Sequence, residues 1–596
     1  MSDKNKALFS DFPPVSAEQW MERVTADLKG ADFDKKLVWN NLTGINFQPS
    51  YSIESKITKL QNTGQNSQSL VNYRSIAVCC AKSGNDSALK AIEEGINGII
   101  FQLITIVPVE ELLNGIDLNK ISVSFKLFNN TVSFTTNLVA FAKGKNLKGY
   151  IDTNLISSYV TTGSLNENLI DVTAELVTLT KDFPNFKVIT ISGTEYLDSG
   201  ANQVQEIAYT LSSLVFLIEK IADKGISVQD IFDNLNFNLA IGLEYFIEIG
   251  KFRAFNNLLA EVAAKYGVID FSNTITAKTS IWSKSVTDAE TNLLRCTTEA
   301  MAAILGNVDG VLIDPYDKEF KKPSDFSSRI AGNITTILKE ESYFGKVSNP
   351  VDGSYYIEEV SSKIAEKALE LFKAIEAEGG FYTAFENEKI QQQIAEIRLK
   401  KLKLISQRRT PMVGINKYPN LMETVDATLL SAGAIANPKV LTPRRASLEI
   451  EAIRKTTEEF VLATKKRPIV ELSSYGNLTM RKARAAFAYD FIGVSGYNVL
   501  QEKSFESAEK AAELSAKSDS SVVVMCSSDE DYNETALAFV KTFRALNSTK
   551  VLLIAGAPTN MDELSEAGLD GCVNLRSDVI ATISSIQSKV QKTIKS

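Results

Sequence analysis

Short apolar segments that alternate with helical stretches between residues 75 and 314 constrain the fold of this chain more than any other feature. Between them run helical patterns such as residues 241–266, where apolar positions recur at helical spacing. The candidate strands are residues 75–80, 98–104, 121–126, 148–152, 187–192, 237–242, 267–271 and 310–314. Eight strand–helix units over this length predict a (β/α)8, or TIM, barrel.

A second α/β pattern begins after Arg467. Its candidate strands are residues 468–473, 491–494, 520–527, 550–556 and 571–575. Five short strands with helices between them in about 130 residues are typical of a small doubly wound sheet. We therefore predict an α/β chain in which a C-terminal flavodoxin-like domain follows the barrel.

At 596 residues the chain is too long for one hydrophobic core, so several domains are expected. Residues 346–466 are helix-rich and charged, and we interpret them as a helical connector. The predicted division is an N-terminal arm at residues 1–70, the barrel at 71–345, the connector at 346–466 and the flavodoxin-like domain at 467–596.

The N-terminal arm contains an amphipathic helix. Ser16 is placed to cap it, and Gln19 follows three residues later, as in a capping box. Apolar residues then recur at intervals of four: Trp20, Val24 and Leu28. Such a helix docks either on its own domain or on a partner, and the sequence leaves both interpretations open.

The chain contains no histidine. This excludes histidine-based acid–base catalysis, Ser–His and Cys–His nucleophile pairs, and every histidine-ligated metal. The five cysteines show no metal-ligand spacing, and Cys79, Cys80 and Cys526 lie in apolar segments typical of buried strands. A redox pair formed by the adjacent Cys79 and Cys80 is the alternative.

The charge and hydropathy of the sequence restrict its partners and location. A net charge of -8 argues against nucleic acid or an anionic membrane as a partner. The first residues contain no apolar core of a secretory signal, and no run approaches the ~18 apolar residues of a membrane-spanning helix. These features predict a cytoplasmic protein.

The stretch VELSSYGNLTMRK at residues 470–482 combines a short strand, a small polar loop and the start of a helix. In a doubly wound domain this is where a ligand binds. The loop has no histidine, no second glycine at the spacing of a phosphate-binding loop and no cation before Arg481. One glycine is weak support for a phosphate site, so a structural loop is the preferred interpretation.

Seven stretches occur in this order along the chain: LLNGIDLNKISVSF (112–125), ITISGTEYLDSGA (189–201), IAYTLSSLVFLIEKI (207–221), EAMAAILGN (299–307), PSDFSSRIAGN (323–333), NPVDGSYYIEEV (349–360) and VGINKYPN (413–420). Together they resemble the methylmalonyl-CoA mutase family. NPVDGSYYIEEV is highly specific. The resemblance runs from about residue 70 to the C-terminus, and residues 8–39 resemble the opening of that enzyme's small subunit.

The resemblance implies a barrel followed by a cobalamin-binding flavodoxin-like domain. Catalytic members use adenosylcobalamin to interconvert methylmalonyl-CoA and succinyl-CoA by a radical rearrangement, and a D-x-H-x-x-G motif supplies the histidine that ligates cobalt. The matching stretch here, Ser474 to Met480, contains neither histidine nor aspartate. Gly476 or Asn477 cannot supply an imidazole, so this turn resembles a cobalamin site without its ligand.

The barrel also departs from the family where catalytic members contact substrate. The family's I-S-G-Y-H segment places a histidine beside the substrate carbonyl, whereas residues 191–195 read ISGTE. Glu195 therefore stands at the histidine position and Thr194 at the tyrosine position. A carboxylate there would repel the negative charge that develops on a thioester oxygen.

Two further family segments have changed. The R-T-H-S-Q-T-S-G-W run, which contacts CoA and the corrin, reads TITAKTSIW at residues 274–282, with Lys278 at the glutamine position. The family's Q-N-D segment corresponds to Asp152, Thr153 and Asn154. Four altered clusters on a retained scaffold imply a non-catalytic subunit.

We therefore predict the small, non-catalytic subunit of a heterodimeric methylmalonyl-CoA mutase. It would have no catalytic, cofactor-binding or metal-binding residues of its own, and a larger homologous subunit would bind adenosylcobalamin and substrate.

Two alternatives stay open. Glu195, Asp198 or Lys278 would serve a free-standing pseudoenzyme or a cobalamin-independent barrel that binds or processes acyl-CoA. Alternatively, the C-terminal domain would be a nucleotide-binding or regulatory module. Solvated or ion-paired roles are preferred for the three charged residues, and a packing role for Trp282.

Overall fold

The computed structural model describes residues 15–61, 70–430 and 437–595, with side chains described up to residue 592. Residues 1–14, where the predicted arm and the small-subunit resemblance begin, lie outside this description. Residues 62–69, the end of the predicted arm, also lie outside it.

The described N-terminal segment forms two short helices and an antiparallel hairpin. Its elements are α1 (Ala17–Asp27), α2 (Phe33–Leu37), β1 (Trp39–Asn40) and β2 (Asn46–Phe47). Ser16 and Gln19 cap α1 through the predicted capping box. Within the described chain no residue of α1 is buried, although Trp20 packs edge-on against Phe33 with ring centroids 6.5 Å apart. The apolar side of α1 is therefore largely uncovered.

Nine parallel strands form a nearly closed barrel, which confirms the predicted (β/α)8 fold. They are β3 (Val71–Val78), β4 (Gly98–Leu103), β5 (Ser122–Leu127), β6 (Gly149–Asp152), β7 (Phe186–Lys187), β8 (Ile189–Ser192), β9 (Leu235–Ile241), β10 (Thr274–Thr279) and β11 (Gly310–Leu312). Their order is β7-β6-β5-β4-β3-β11-β10-β9-β8. Strand β7 pairs with β6, and β8 pairs with β9. Since only Val188 separates β7 from β8, these two segments occupy one strand position of the barrel.

Helices surround the barrel. They are α3 (Ala81–Glu93), α4 (Val109–Leu112), α5 (Thr131–Ala142), α6 (Leu155–Thr162), α7 (Asn168–Leu179), α8 (Thr194–Asp198), α9 (Gln203–Ala222), α10 (Val228–Asp233), α11 (Tyr245–Lys265), α12 (Thr291–Leu305) and α13 (Asp325–Glu340). Helix α9 begins at a capping box formed by Asn202 and Gln205. It is buried along most of its length because other helices cover its outer side.

The covering helices come from the predicted connector. They are α14 (Tyr355–Ala377), α15 (Gly380–Glu386), α16 (Lys389–Ser406) and α17 (Leu448–Thr464), with single 3-10 turns at Phe344–Lys346 and Ala427–Leu429. Helix α14 packs on α11 and α9, and its Val360 and Ile364 enter the barrel core. Ile405, near the end of α16, belongs instead to the core of the second sheet. The four-part domain division stays a prediction.

The C-terminal part is a parallel sheet with helices on both faces. Its elements are β12 (Ile469–Ser474), α18 (Leu478–Gly493), β13 (Asn498–Val499), β14 (Lys503–Ser504), α19 (Ala508–Lys517), β15 (Val522–Cys526), α20 (Asp529–Leu546), β16 (Val551–Ala555), α21 (Met561–Glu566), β17 (Gly571–Val573) and α22 (Val579–Lys595). The order β13-β12-β15-β16-β17, with β14 also on β12, is the flavodoxin-like order. A separate apolar core lies on each face. Across the described ranges, no helix is long and apolar enough to span a bilayer.

Two predicted strands are wrong. Residues 267–271 form a loop in which Ile269 is 93% exposed, and the strand lies further on, at β10. Residues 491–494 lie at the end of α18, and the strand follows at β13. An apolar run of four or five residues cannot by itself separate a strand from a helix end or a loop, which explains both errors.

The prediction for the cysteines is correct in part. Cys526 is buried in β15, as expected. Cys79 and Cys80 are exposed, because β3 already ends at Val78 and the next two residues form the bend before α3. All five cysteines are free thiols.

Candidate functional site

The barrel encloses a small cavity of about 100 Å³ at the carboxyl ends of its strands. All eight strand positions contribute to its wall, and Glu195 and Lys278 line it. Parallel barrels bind substrate at this end. Ligand pockets usually measure roughly 300–1,000 Å³, so the volume is small for an active site.

Aromatic side chains fill the interior beneath the cavity. Tyr73 and Tyr150 contact each other with ring centroids 6.0 Å apart, and the Tyr73 hydroxyl lies 3.0 Å from that of Ser122. A Cβ atom at Gly98 or Gly310, on the strands either side of β3, would lie 2.6 or 2.4 Å from the Tyr73 ring. The two glycines therefore make room for a tyrosine that closes the interior.

The charged side chains at the barrel mouth neutralise one another. Lys318 Nζ lies 2.7 Å from one carboxylate oxygen of Asp314, and Lys278 Nζ lies 3.9 Å from the other. Burial alone would raise the pKa of Asp314, but the two lysines outweigh it and lower that pKa. The Asp314 charge in turn raises the pKa of Lys278. Lys278 is therefore an ion-paired residue.

Glu195 and Asp198 have separate hydrogen-bond partners. The Thr194 hydroxyl donates to Glu195 at 3.1 Å, whereas the Ser280 hydroxyl and the Ile281 amide donate to Asp198. Burial raises the pKa of Asp198 to about 6, against the opposing effect of Lys278. Asp198 thus ties the segment after β8 to the loop after β10, and the two carboxylates do not form a hydrogen-bonded acid–base pair.

The remaining barrel candidates have structural environments. Asp152 accepts a hydrogen bond from the Asn154 amide at 2.7 Å, in a turn where Asn154 has a φ of 59° and α6 begins. Thr153 between them is buried. Trp282 is half-buried and packs against the core of the C-terminal sheet, which agrees with its predicted packing role.

The C-terminal sheet places two loops at its topological switch point, between β12 and β15. The loop after β12 contains Tyr475, Gly476 and Asn477, and the loop after β15 contains Ser527 and Ser528. Doubly wound sheets bind ligands at such a crevice. This is the stretch in which the sequence lacks a cobalt ligand.

A carboxylate of the chain itself occupies this switch point. Asp531, in the first turn of α20, accepts hydrogen bonds from the Asn477 amide at 3.0 Å and the Ser527 hydroxyl at 2.6 Å. These bonds hold the pKa of Asp531 below its usual value although burial opposes them. Gly476 has a φ of 71°, and a Cβ there would lie 2.2 Å from an Asp531 oxygen. The Asn477 backbone amide and the Ser527 hydroxyl, two donors that would face an anionic ligand, are therefore already used.

The switch point does not fit cobalamin bound through cobalt. No imidazole is available, and the loop backbone is in close contact with Asp531. Among the described residues, no group of three or more acidic or cysteine side chains is arranged to hold a metal ion.

Sequence reasoning missed a buried charge cluster behind the barrel strands. Lys251 of α11 lies 2.9 Å from Glu206 of α9 and 2.5 Å from Glu248, and the side chains of all three are fully buried. Lys251 keeps its proton because the two carboxylates outweigh burial, so its pKa is raised. Burial raises the pKa of Glu206 to about 7. The helical spacing of Glu248 and Lys251 was visible in the sequence, but their burial was not.

Comparison with known proteins identifies the family. A family profile described as methylmalonyl-CoA mutase matches residues 52–465, more than half of the chain. The methylmalonyl-CoA mutase small subunit of Porphyromonas gingivalis is 32% identical over 99% of both chains. The protein of that name from Streptomyces virginiae is 28% identical over 83% of this chain and 82% of its own.

A relative whose name carries no subunit label matches less of the chain. The methylmalonyl-CoA mutase of Escherichia coli is 29% identical over 60% of this chain and 51% of its own length. The match over 99% of both chains is to a protein named as a small subunit. The chain belongs to the methylmalonyl-CoA mutase family.

Proposed function

We propose that this chain is the small, non-catalytic subunit of a heterodimeric adenosylcobalamin-dependent methylmalonyl-CoA mutase. Interconversion of methylmalonyl-CoA and succinyl-CoA is carried out by a larger homologous subunit, which holds the cofactor. The small subunit contributes its scaffold and its interface and binds no cofactor. It functions in the cytoplasm.

The contact of Asp531 with the loop after β12 carries this proposal. The family binds cobalt through a histidine in that loop, and here Asp531 accepts hydrogen bonds from Asn477 and Ser527 instead. Cobalamin would have to displace a charged side chain that is already hydrogen-bonded, with no imidazole to ligate the metal. Hydrogen bonds to a charged group contribute more than those between neutral groups, so displacing the Asp531 carboxylate carries a cost.

The closed barrel supports the same proposal. Tyr73 and Tyr150 fill the interior, and the remaining cavity of about 100 Å³ presents Glu195 where the family has a histidine. A carboxylate there disfavours negative charge on a thioester oxygen. The volume and the charge both work against a reacting acyl-CoA.

Helix α1 supports the existence of a partner. Met21 and Trp20 are exposed, and no residue of this reciprocally capped helix is buried by the part of the chain that the structure describes. An amphipathic helix with an uncovered apolar side is a common means of docking on another surface. A larger homologous chain is the occupant that the family membership favours.

A cofactor titration tests the proposal. The isolated chain, dialysed to equilibrium against adenosylcobalamin, is expected to retain none above background, whereas the larger chain or the complex retains about one molecule. Tight stoichiometric binding by the isolated chain would overturn the proposal. Turnover of an acyl-CoA without cobalamin, lost in Glu195→Gln, would favour the pseudoenzyme alternative instead.

A further inference from the structure

A cavity of about 410 Å³ lies outside the barrel interior and the switch point described above. Its wall combines residues 39–43 of the N-terminal hairpin, the segments that follow β8, β9 and β10, and residues 401–412 of the connector. We call it the junction cavity. Its volume falls within the roughly 300–1,000 Å³ typical of small-molecule sites.

The wall of the junction cavity is mainly apolar and includes two indole rings. Trp39 is 44% exposed and Trp282 is half-buried, and Leu197 and Met412 also line the space. Aromatic rings offer large contact areas at a low entropic cost, and they stack against planar groups. This wall suits a ligand with an apolar or planar body.

Two polar atoms in the wall are buried without a hydrogen-bond partner among the described residues: Gln203 Oε1 and Asn41 Nδ2. Gln203 is 3% exposed, and its amide nitrogen donates to Glu244 at 3.0 Å and to Glu248 at 2.8 Å. These two carboxylates fix the orientation of the amide and leave its oxygen unused. Buried polar atoms are rarely left unpaired in a folded protein, so the pair points to a ligand with polar groups.

Cations outnumber carboxylates in the wall of the junction cavity. Lys401 Nζ donates to the Ala201 carbonyl at 2.6 Å and lies 5.4 Å from the centroid of the Trp282 ring. Arg409 is exposed at the edge, and its guanidinium has no partner in the part of the chain that the structure describes. Among the described residues of the wall, Glu244 supplies the one carboxylate, so the charges of the wall favour an anion.

We propose that the junction cavity binds a small organic carboxylate with a planar or apolar body. Arg409 receives the carboxylate through its guanidinium fork, the two indoles contact the body, and Gln203 Oε1 accepts a hydrogen bond from a donor on the ligand. This site goes beyond the proposed function, because it requires neither cobalamin nor the larger subunit.

A second large cavity is less suited to an anion. It measures about 580 Å³ and lies between β3, α3 and α13. There Arg74 pairs with Glu94 at 2.6 Å, and Lys90 pairs with Asp325 at 2.6 Å. Lys318 also pairs with Asp314, so three of the four cations in this wall are neutralised within the chain. Lys322 is the one that has no carboxylate partner among the described residues.

Ligand-observed 19F NMR on the full chain tests the proposal. The probes are 4-(trifluoromethyl)phenylacetate, its neutral amide, and the matching amine. We expect the carboxylate to bind most tightly, and Arg409→Gln to weaken it about tenfold, as for a hydrogen bond to a charged group. Arg576→Gln, which removes an exposed arginine outside the cavity, is the matched control and should leave the affinity unchanged.

Three results would overturn the proposal: no probe binds, the amine binds better than the carboxylate, or Arg409→Gln and Arg576→Gln bind equally well. A second variant tests the location independently of charge. Ala446→Leu narrows the cavity at a buried wall position and should also weaken the carboxylate. Unchanged binding in a folded Ala446→Leu protein would place the probe elsewhere and contradict the assignment.

Discussion

Replacing Lys251 with methionine should strongly destabilise the barrel. The change removes the ammonium that lies 2.9 Å from Glu206 and 2.5 Å from Glu248, and it leaves the Ala240 carbonyl without its donor. Methionine fills a similar volume, so the main effect is electrostatic. Two fully buried carboxyl groups then face each other with no cation between them.

The magnitude follows from the burial of the cluster. Removing one partner of a buried ion pair typically costs about 3–5 kcal/mol of unfolding free energy, because the remaining charge is uncompensated. With a urea dependence of about 3 kcal/mol/M for a large domain, the unfolding midpoint should fall by roughly 1 M or more.

The loss should depend on pH. Burial already raises the pKa of Glu206 to about 7, and removing Lys251 raises it further. An acid whose pKa is raised on folding lowers stability as the pH rises from its unfolded to its folded value. Keeping such a carboxyl protonated costs about 1.4 kcal/mol per pH unit above the unfolded value. Glu206 is protonated at pH 5.5 in both proteins, so its effect on the deficit of Lys251→Met begins only above about pH 7. The deficit should therefore be larger at pH 8 than at pH 5.5 by about 1 kcal/mol.

Urea unfolding followed by intrinsic fluorescence at both pH values measures this effect. Lys220→Met is the matched control, since Lys220 is exposed on α9, the helix that also carries Glu206. It should change the free energy of unfolding by less than about 0.5 kcal/mol, as surface substitutions usually do. A deficit below about 1 kcal/mol at pH 8, or one of equal size at both pH values, would refute the reasoning.

Three shorter predictions use the same unfolding assay. Tyr73→Ala should lose about 3–5 kcal/mol by emptying the barrel interior, whereas Tyr73→Phe should lose only about 1 kcal/mol with the Ser122 hydrogen bond. Gly476→Ala should destabilise the C-terminal sheet by more than about 1 kcal/mol, whereas Gly30→Ala, also at positive φ but with open space around it, should cost less. Because burial raises the pKa of Asp198 to about 6, the stability of the protein should fall as the pH rises from about 4 to 6. Asp198→Asn should flatten this pH dependence. An unchanged slope would contradict the raised pKa of Asp198.

The strand pattern of the barrel was largely predictable because each parallel strand is a short apolar run bounded by helical spacing. Residues 98–104 and 121–126 differ by a single residue or so from β4 and β5. The sequence pattern does not predict β10 (Thr274–Thr279), because threonine and Lys278 alternate there with apolar residues and no continuous apolar run results. Its strand propensity comes from β-branched residues on both faces: Thr276 lines the barrel cavity, and Ile275 belongs to the apolar core.

The sequence predicts which functional residues of the family are missing from the candidate site, but it does not predict the contacts that replace them. The missing histidine is a property of the sequence, but the occupation of the switch point by Asp531 depends on where α20 begins relative to the loop after β12. Likewise, Glu195 and Asp198 are three residues apart in sequence, yet their hydrogen bonds go to different elements. Contacts between distant elements of this kind require the fold.

Native mass spectrometry of this chain, purified gently from its own cells, tests the central claim most directly. We predict a one-to-one complex with a larger chain, with one cobalamin per complex and none on this chain after the subunits are separated. A monomer or homodimer free of any larger chain, or cobalamin that stays with this chain on separation, would contradict the account.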